Sequence, residues 1–216
     1  MPRRLGAAAA LFLAALIGTT ACSGGQPPPS AQTTAAPAES SAFPSPATAL
    51  ASPSAAPAYK PADASGRAQN VPVPVLPEAA RAETKEGLEA FAKYWYSTLT
   101  YAYETGDMAP LEAITEDTCN SCVRVKEVVN GWHSEGRWLA GGKMIIEGMT
   151  SDFKPDSGGG YQVLIQVRQE PLSYYRADKV LDERAQPSPA VGDIMIAHFR
   201  AGAWSADSVE HLVKSK

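Results

Sequence analysis

The chain has 216 residues, a formal net charge of −4 and three cysteines. Acids outnumber bases and no Lys/Arg run occurs, which argues against nucleic acid and anionic membrane surfaces as electrostatic partners. No cofactor motif accompanies this composition: there is no phosphate loop, no His-Glu-x-x-His, no Gly-x-Ser-x-Gly elbow and no paired-carboxylate signature.

The N-terminus reads as an export signal. Arg3 and Arg4 form a positive start, Leu5 to Ile17 is uncharged and apolar, and Gly18-Thr19-Thr20-Ala21 is a small-residue cleavage region. The apolar run is shorter than the roughly 20 residues needed to span a bilayer. It resembles a bacterial lipoprotein signal, so residues 1–21 are expected to be removed. Cys22 would then be the lipidation site, carrying palmitate-type acyl chains. The expected location is the extracytoplasmic face of the cell membrane, with the membrane as a partner through the anchor. Each buried acyl CH2 contributes about 0.8 kcal/mol, so two or more chains hold firmly.

Residues 22–76 are rich in Pro, Ala, Ser and Thr and poor in large apolar side chains. Such a segment cannot bury enough surface to offset its ordering entropy, and a disordered stalk is expected. The stalk's Glu39, Lys60, Asp63 and Arg67 cancel, and the signal holds only Arg3 and Arg4. Removing those two positive charges from −4 leaves −6 on residues 77–216. A single domain of that length can bury its own core.

Glu78 to Thr105 predicts a long amphipathic helix, its firm start near Thr84. Leu88, Phe91, Ala92, Trp95, Leu99, Ala102 and Tyr103 recur at helical spacing. Gly106 suits the C-terminal cap, and Asp107 suits the N-cap of a short helix holding Pro110, Leu111 and Ile114. A third helix is predicted from Cys122 to Glu135, with Val125, Val128, Val129 and Trp132 facing inward. After Gly141-Gly142 the period changes to two. Strands are predicted at Met144–Asp152, Tyr161–Gln169, Asp193–Arg200 and Ala203–Leu212, the last two hairpinned through Ala201-Gly202. Pro171 to Pro189 predicts a long polar loop.

Helices followed by antiparallel strands define an α+β class, with a long N-terminal helix and two shorter helices packed on a curved antiparallel sheet. The long helix, the Gly106-Asp107 junction and the Gly202-x-Trp204 hairpin resemble the cone-like fold of the nuclear-transport-factor-2-like, or cystatin-like, proteins. More narrowly, Leu88 to Asp107 with Cys119-x-x-Cys122 resembles an uncharacterised lipoprotein family of high-GC Gram-positive bacteria. That family implies no activity.

Cys119 and Cys122 carry three readings: a structural disulfide in an oxidising compartment, a thiol–disulfide exchange pair at a helix start, or part of a metal site. The spacing of His133, His198 and His211 supplies no ligand pattern, and no metal is expected. The cone resemblance implies a cavity between sheet and helices. By periodicity Tyr94, Trp95, Tyr101, Tyr103, Trp132, His198, Asp207 and His211 are its candidate lining. Asp207 and His211 lie four apart on a strand, roughly 13 Å, too far for a dyad. Tyr96 and Tyr101 are expected to point away from the buried face, as a dimer or ligand surface; a homodimer or an envelope-protein partner is expected. These features predict a non-catalytic binding or assembly module with an unspecified small ligand. An acid/base enzyme using the cavity and a thiol–disulfide exchanger are the alternatives, and no catalytic residue is assigned.

Overall fold

The computed structural model describes residues 57–212. The signal segment, Cys22 and the stalk as far as residue 56 lie outside the described residues. From Pro57 the chain forms a short hairpin. Lys60 and Gln69 exchange backbone hydrogen bonds of 3.0 and 2.9 Å, and Asp63 and Gly66 exchange two of 3.1 and 3.2 Å. Three side chains fix this hairpin to the domain. The Trp138 indole N–H donates to the Asp63 carbonyl at 3.0 Å. The Arg67 guanidinium donates to the carbonyls of His133 and Arg137 at 2.8 and 2.7 Å. The Tyr59 hydroxyl donates to Glu104 Oε1 at 2.5 Å. Composition assigns residues 57–76 to the stalk, whereas the structure lays this hairpin on the domain. Main-chain groups and a few polar side chains make the contact, and composition does not register those.

A 3-10 turn at Glu78–Arg81 precedes helix α1 (Lys85–Thr105). Thr84 caps α1, its Oγ1 accepting from the Gly87 N–H at 3.0 Å. Gly106 ends it in the left-handed conformation, φ 81°. The predicted single helix from Glu78 therefore divides at Thr84. Leu88, Phe91, Ala92, Trp95, Leu99 and Ala102 are buried, as their spacing requires. Tyr96 is buried with them, which corrects the expectation that it leaves the buried face. Tyr101 is half-buried, its hydroxyl donating to Asp107 Oδ2 at 3.3 Å.

Helix α2 (Ala109–Glu112) starts one residue beyond the position that Asp107 would cap, yet Asp107 Oδ1 still accepts from the Ala109 N–H at 3.0 Å. Helix α3 (Asn120–His133) buries Val129 fully, while Val125 is half-buried and Val128 is 43% exposed. The predicted inward stripe is thus narrower than its valines suggest, because α3 packs along one edge of the domain. Trp132 stands against Tyr174 edge-to-face, with centroids 4.8 Å apart.

The strands are β1 (Trp138–Gly141), β2 (Met144–Thr150), β3 (Gly160–Gln169), β4 (Leu172–Tyr175), β5 (Leu181–Ala185), β6 (Val191–Arg200) and β7 (Ala203–His211). They form two antiparallel sheets, ordered β2-β3-β6-β7 and β1-β4-β5. In the larger sheet Tyr161, Val163, Ile165 and Val167 of β3 meet Met195 and Ala197 of β6 on the inner face, and α1 covers them. Bulges in β2 and between β6 and β7 bend this sheet. The architecture is the α+β arrangement expected. The predicted Pro171–Pro189 loop, however, contains β4 and β5. Strand β5, Leu-Asp-Glu-Arg-Ala, has no apolar alternation because it is an edge strand exposed along almost its whole length. Strand β1, not predicted, buries Trp138 and Leu139.

Candidate functional site

A cavity of about 470 Å3 opens between α1, the first turns of α3, and the ends of β3, β6 and β7. Its size falls within the range of small-molecule pockets. Trp95, Leu99, Val125, Met144, Val167 and Val209 supply apolar wall. Helix α1 contributes Trp95, Tyr96, Leu99 and Tyr103 because these residues fall on one side of a 3.6-residue repeat.

Asp193 lies at the centre of the polar lining. Its side chain is 4% exposed, and both oxygens are engaged. The Tyr96 hydroxyl donates to Oδ2 at 2.5 Å, and His211 Nδ1 lies 2.5 Å from Oδ1. Burial, reinforced by the hydrogen bond to Asp193 and its charge, pushes the Tyr96 hydroxyl far above the usual tyrosine value. Tyr96 is therefore a fixed proton donor. With Nδ1 tied to the carboxylate, His211 has Nε2 as its remaining ring nitrogen, at a side chain 71% exposed. Tyr103, one further turn along α1, is also raised, first by burial and then by Tyr174, with a Gln169 hydrogen bond opposing.

Of the predicted lining, Trp95, Tyr103 and His211 border the cavity. Tyr94, Tyr101, Trp132, His198 and Asp207 do not. Tyr94 is half-buried on another face of α1. Trp132 packs on Tyr174. His198 lies on β6 opposite Gly160 and Ser205, toward the other end of the strand from Asp193. Asp207 accepts at Oδ1 from the Thr118 hydroxyl at 3.0 Å. Plain alternation misplaces Asp207 because the register shifts there: Ala197 pairs Ala206, whereas Ile196 pairs Ser208. That shift sets His211 opposite Asp193. A count outward from the Ala201-Gly202 turn without a bulge would place Glu210 there.

Cys119 and Cys122 form a disulfide, with Cα atoms 5.2 Å apart. Cys119 is fully buried, while Cys122 is half-buried at the cavity edge. Exchange chemistry needs an accessible sulfur, and burial of Cys119 disfavours it. The Ser121 hydroxyl between them donates to the Val209 carbonyl, tying the start of α3 to β7. Among the described residues no group of three His, Cys, Asp or Glu could hold a metal ion, and no helix is long and apolar enough to cross a membrane.

The fold and cavity together define an α+β domain with a ligand-sized internal space. A family model described as a family of unknown function (DUF6318) matches residues 57–210, and the chain belongs to that family. No curated protein matches the chain significantly. Among solved structures, the chain is similar to the intermembrane space region of the chloroplast protein ARC6, at 9% identity and TM-score 0.41, covering 61% of this chain and 98% of that one. It is similar to Aln2 from a Streptomyces species at 9% identity and TM-score 0.38, covering 58% and 89%. It is also similar to ActVI-ORFA from Streptomyces coelicolor at 14% identity and TM-score 0.37, covering 58% and 98%.

Proposed function

We propose that this protein is a lipid-anchored module on the extracytoplasmic face of the cell membrane, and that it binds a small, largely apolar ligand in the cavity. The observation that carries the binding reading is the roughly 470 Å3 space walled by Trp95, Leu99, Val125 and Met144, with a few polar groups converging on it. The order of a long helix, two short helices and a curved sheet supports the resemblance to the nuclear-transport-factor-2-like cone. The Arg3-Arg4 start, the apolar run and Cys22 support the anchor, and the bonded Cys119–Cys122 pair supports an oxidising compartment.

Two measurements check this reading. Intact mass of the membrane-extracted protein should show a chain beginning at Cys22 and carrying acyl chains; a free, unacylated N-terminus would remove the anchor. The binding test uses the exported chain with Cys22→Ser, which cannot be acylated. Titration with indole should shift the methyl NMR signals of Leu99, Val125 and Met144. A Val125→Trp variant, which fills the space from α3, should weaken indole binding at least tenfold while leaving the Leu139 signals in place. Unchanged affinity in that variant would place the indole elsewhere and refute the cavity.

A further inference from the structure

We propose that the ligand of this cavity is a small amphiphilic acid, with its apolar body against Trp95, Leu99 and Met144 and its carboxylate at the mouth, held by His211 Nε2 and Arg124. The proposal rests on the cavity-binding reading above and adds the charge of the head group.

Hydrogen-bonding capacity around the cavity is unevenly spent. Asp193 is the acid on its inner wall, and both its oxygens are already taken, by Tyr96 and by His211. Each oxygen already has a partner and the side chain is almost fully buried, so a ligand in the cavity has little access to its remaining lone pairs. Donors, in contrast, remain unspent. His211 keeps Nε2. Arg124 borders the cavity from the first turns of α3, and among the described residues it has no carboxylate within ion-pair distance. Ser188 Oγ accepts from the Gln169 N–H at 2.8 Å, which leaves its own proton to give.

The one competing acceptor is Glu210, which also borders the cavity. By register Glu210 pairs with Ile194, whereas Val209 and His211 pair with Met195 and Asp193. Side chains alternate along a strand, so Glu210 belongs to the outer face of β7 while His211 belongs to the inner one. Arg168 alternates outward in the same way and is already paired with Glu147 at 2.9 Å. The inner side of the mouth therefore presents donors from Arg124 and Ser188, with His211 a third in its doubly protonated form, and no free acceptor from an acid. Charge-assisted hydrogen bonds from such donors favour a carboxylate over an alcohol or an ammonium.

The test compares three probes that share one apolar chain: octanoate, octan-1-ol and octylamine, each titrated into the Cys22→Ser chain while the methyl signals of Leu99 and Met144 are followed. Octanoate should bind at least tenfold more tightly than octan-1-ol, with octylamine weakest. Arg124→Gln and His211→Gln should each bring octanoate down toward the alcohol, with octan-1-ol unchanged. If acid and alcohol bind the wild-type chain equally, the acidic head group is wrong and the cavity reading survives. If octanoate keeps its advantage in both variants, its recognition by Arg124 and His211 is wrong. If none of the probes moves the Leu99 and Met144 signals, the cavity reading fails as well.

Discussion

Gly87→Ala is expected to destabilise the domain by about 3 kcal/mol, as a lowered urea midpoint at unchanged m-value. Helix propensity alone predicts the opposite, a gain of about 1 kcal/mol for alanine inside a helix. Geometry decides between them. A Cβ at Gly87 would sit 2.1 Å from the Ala82 carbonyl oxygen and 2.9 Å from that of Ala79. These are backbone atoms of the segment that folds back on α1, so no side-chain rotation relieves the clash. Moving the segment has a second cost, because the Ala82 carbonyl accepts from the Trp204 indole N–H at 3.1 Å. Trp204 is 4% exposed and packs against Phe91, Tyr161 and Phe199. Pulling its acceptor away strands a buried donor, at about 1–3 kcal/mol. A midpoint equal to or above wild type would contradict the close approach.

Asp193→Ala is expected to cost about 3 kcal/mol, and Asp193→Asn about 1 kcal/mol. Alanine deletes both acceptors and leaves the buried Tyr96 hydroxyl unpaired. Relief of burying a charge offsets part of that loss. His211 adds little, since its exposed ring can turn to water. Asparagine keeps an acceptor for Tyr96 and turns an amide donor toward His211, whose Nδ1 can accept in its other tautomer. Equal losses for both variants would show that the cluster needs charge rather than hydrogen-bond geometry. The same cluster predicts a pH effect. Tyr96 ionises far less readily folded than unfolded. A raised folded value gives stability that is complete below the unfolded value near 10 and declines as pH rises beyond it. One such group contributes a slope of about 1.4 kcal/mol per pH unit. Tyr96→Phe should flatten the alkaline decline by about that amount, leaving the share of the other raised tyrosines such as Tyr103.

Local signals made much of the fold legible. Thr84 and Gly106 bracket α1 by capping chemistry, and the apolar spacing between them marks the buried face. Strand β3 was visible because it is buried on one face only, and the Ala201-Gly202 turn because Gly202 readily takes the positive φ, 82°, that a two-residue hairpin turn needs. Strand β5 was hidden by its charged, exposed edge, and the Pro57–Asn70 hairpin by polar anchoring. In the site, Trp95 and Tyr103 were accessible to helical spacing, and His211 to strand alternation. The Tyr96–Asp193–His211 cluster was not, because it joins three elements and depends on one extra residue at Asp207. A bulge of that kind reverses the face of every residue beyond it, and nothing in the local composition announces it.

The Pro57–Asn70 hairpin also sets the load path. Whatever tugs on the chain ahead of Pro57 first meets the backbone pairs at Lys60–Gln69 and Asp63–Gly66, together with the Arg67 clamp. These bonds are few, whereas β2, β3, β6 and β7 are joined by long antiparallel ladders. The hairpin would then act as a sacrificial fuse, giving way ahead of the cavity between α1 and the sheet.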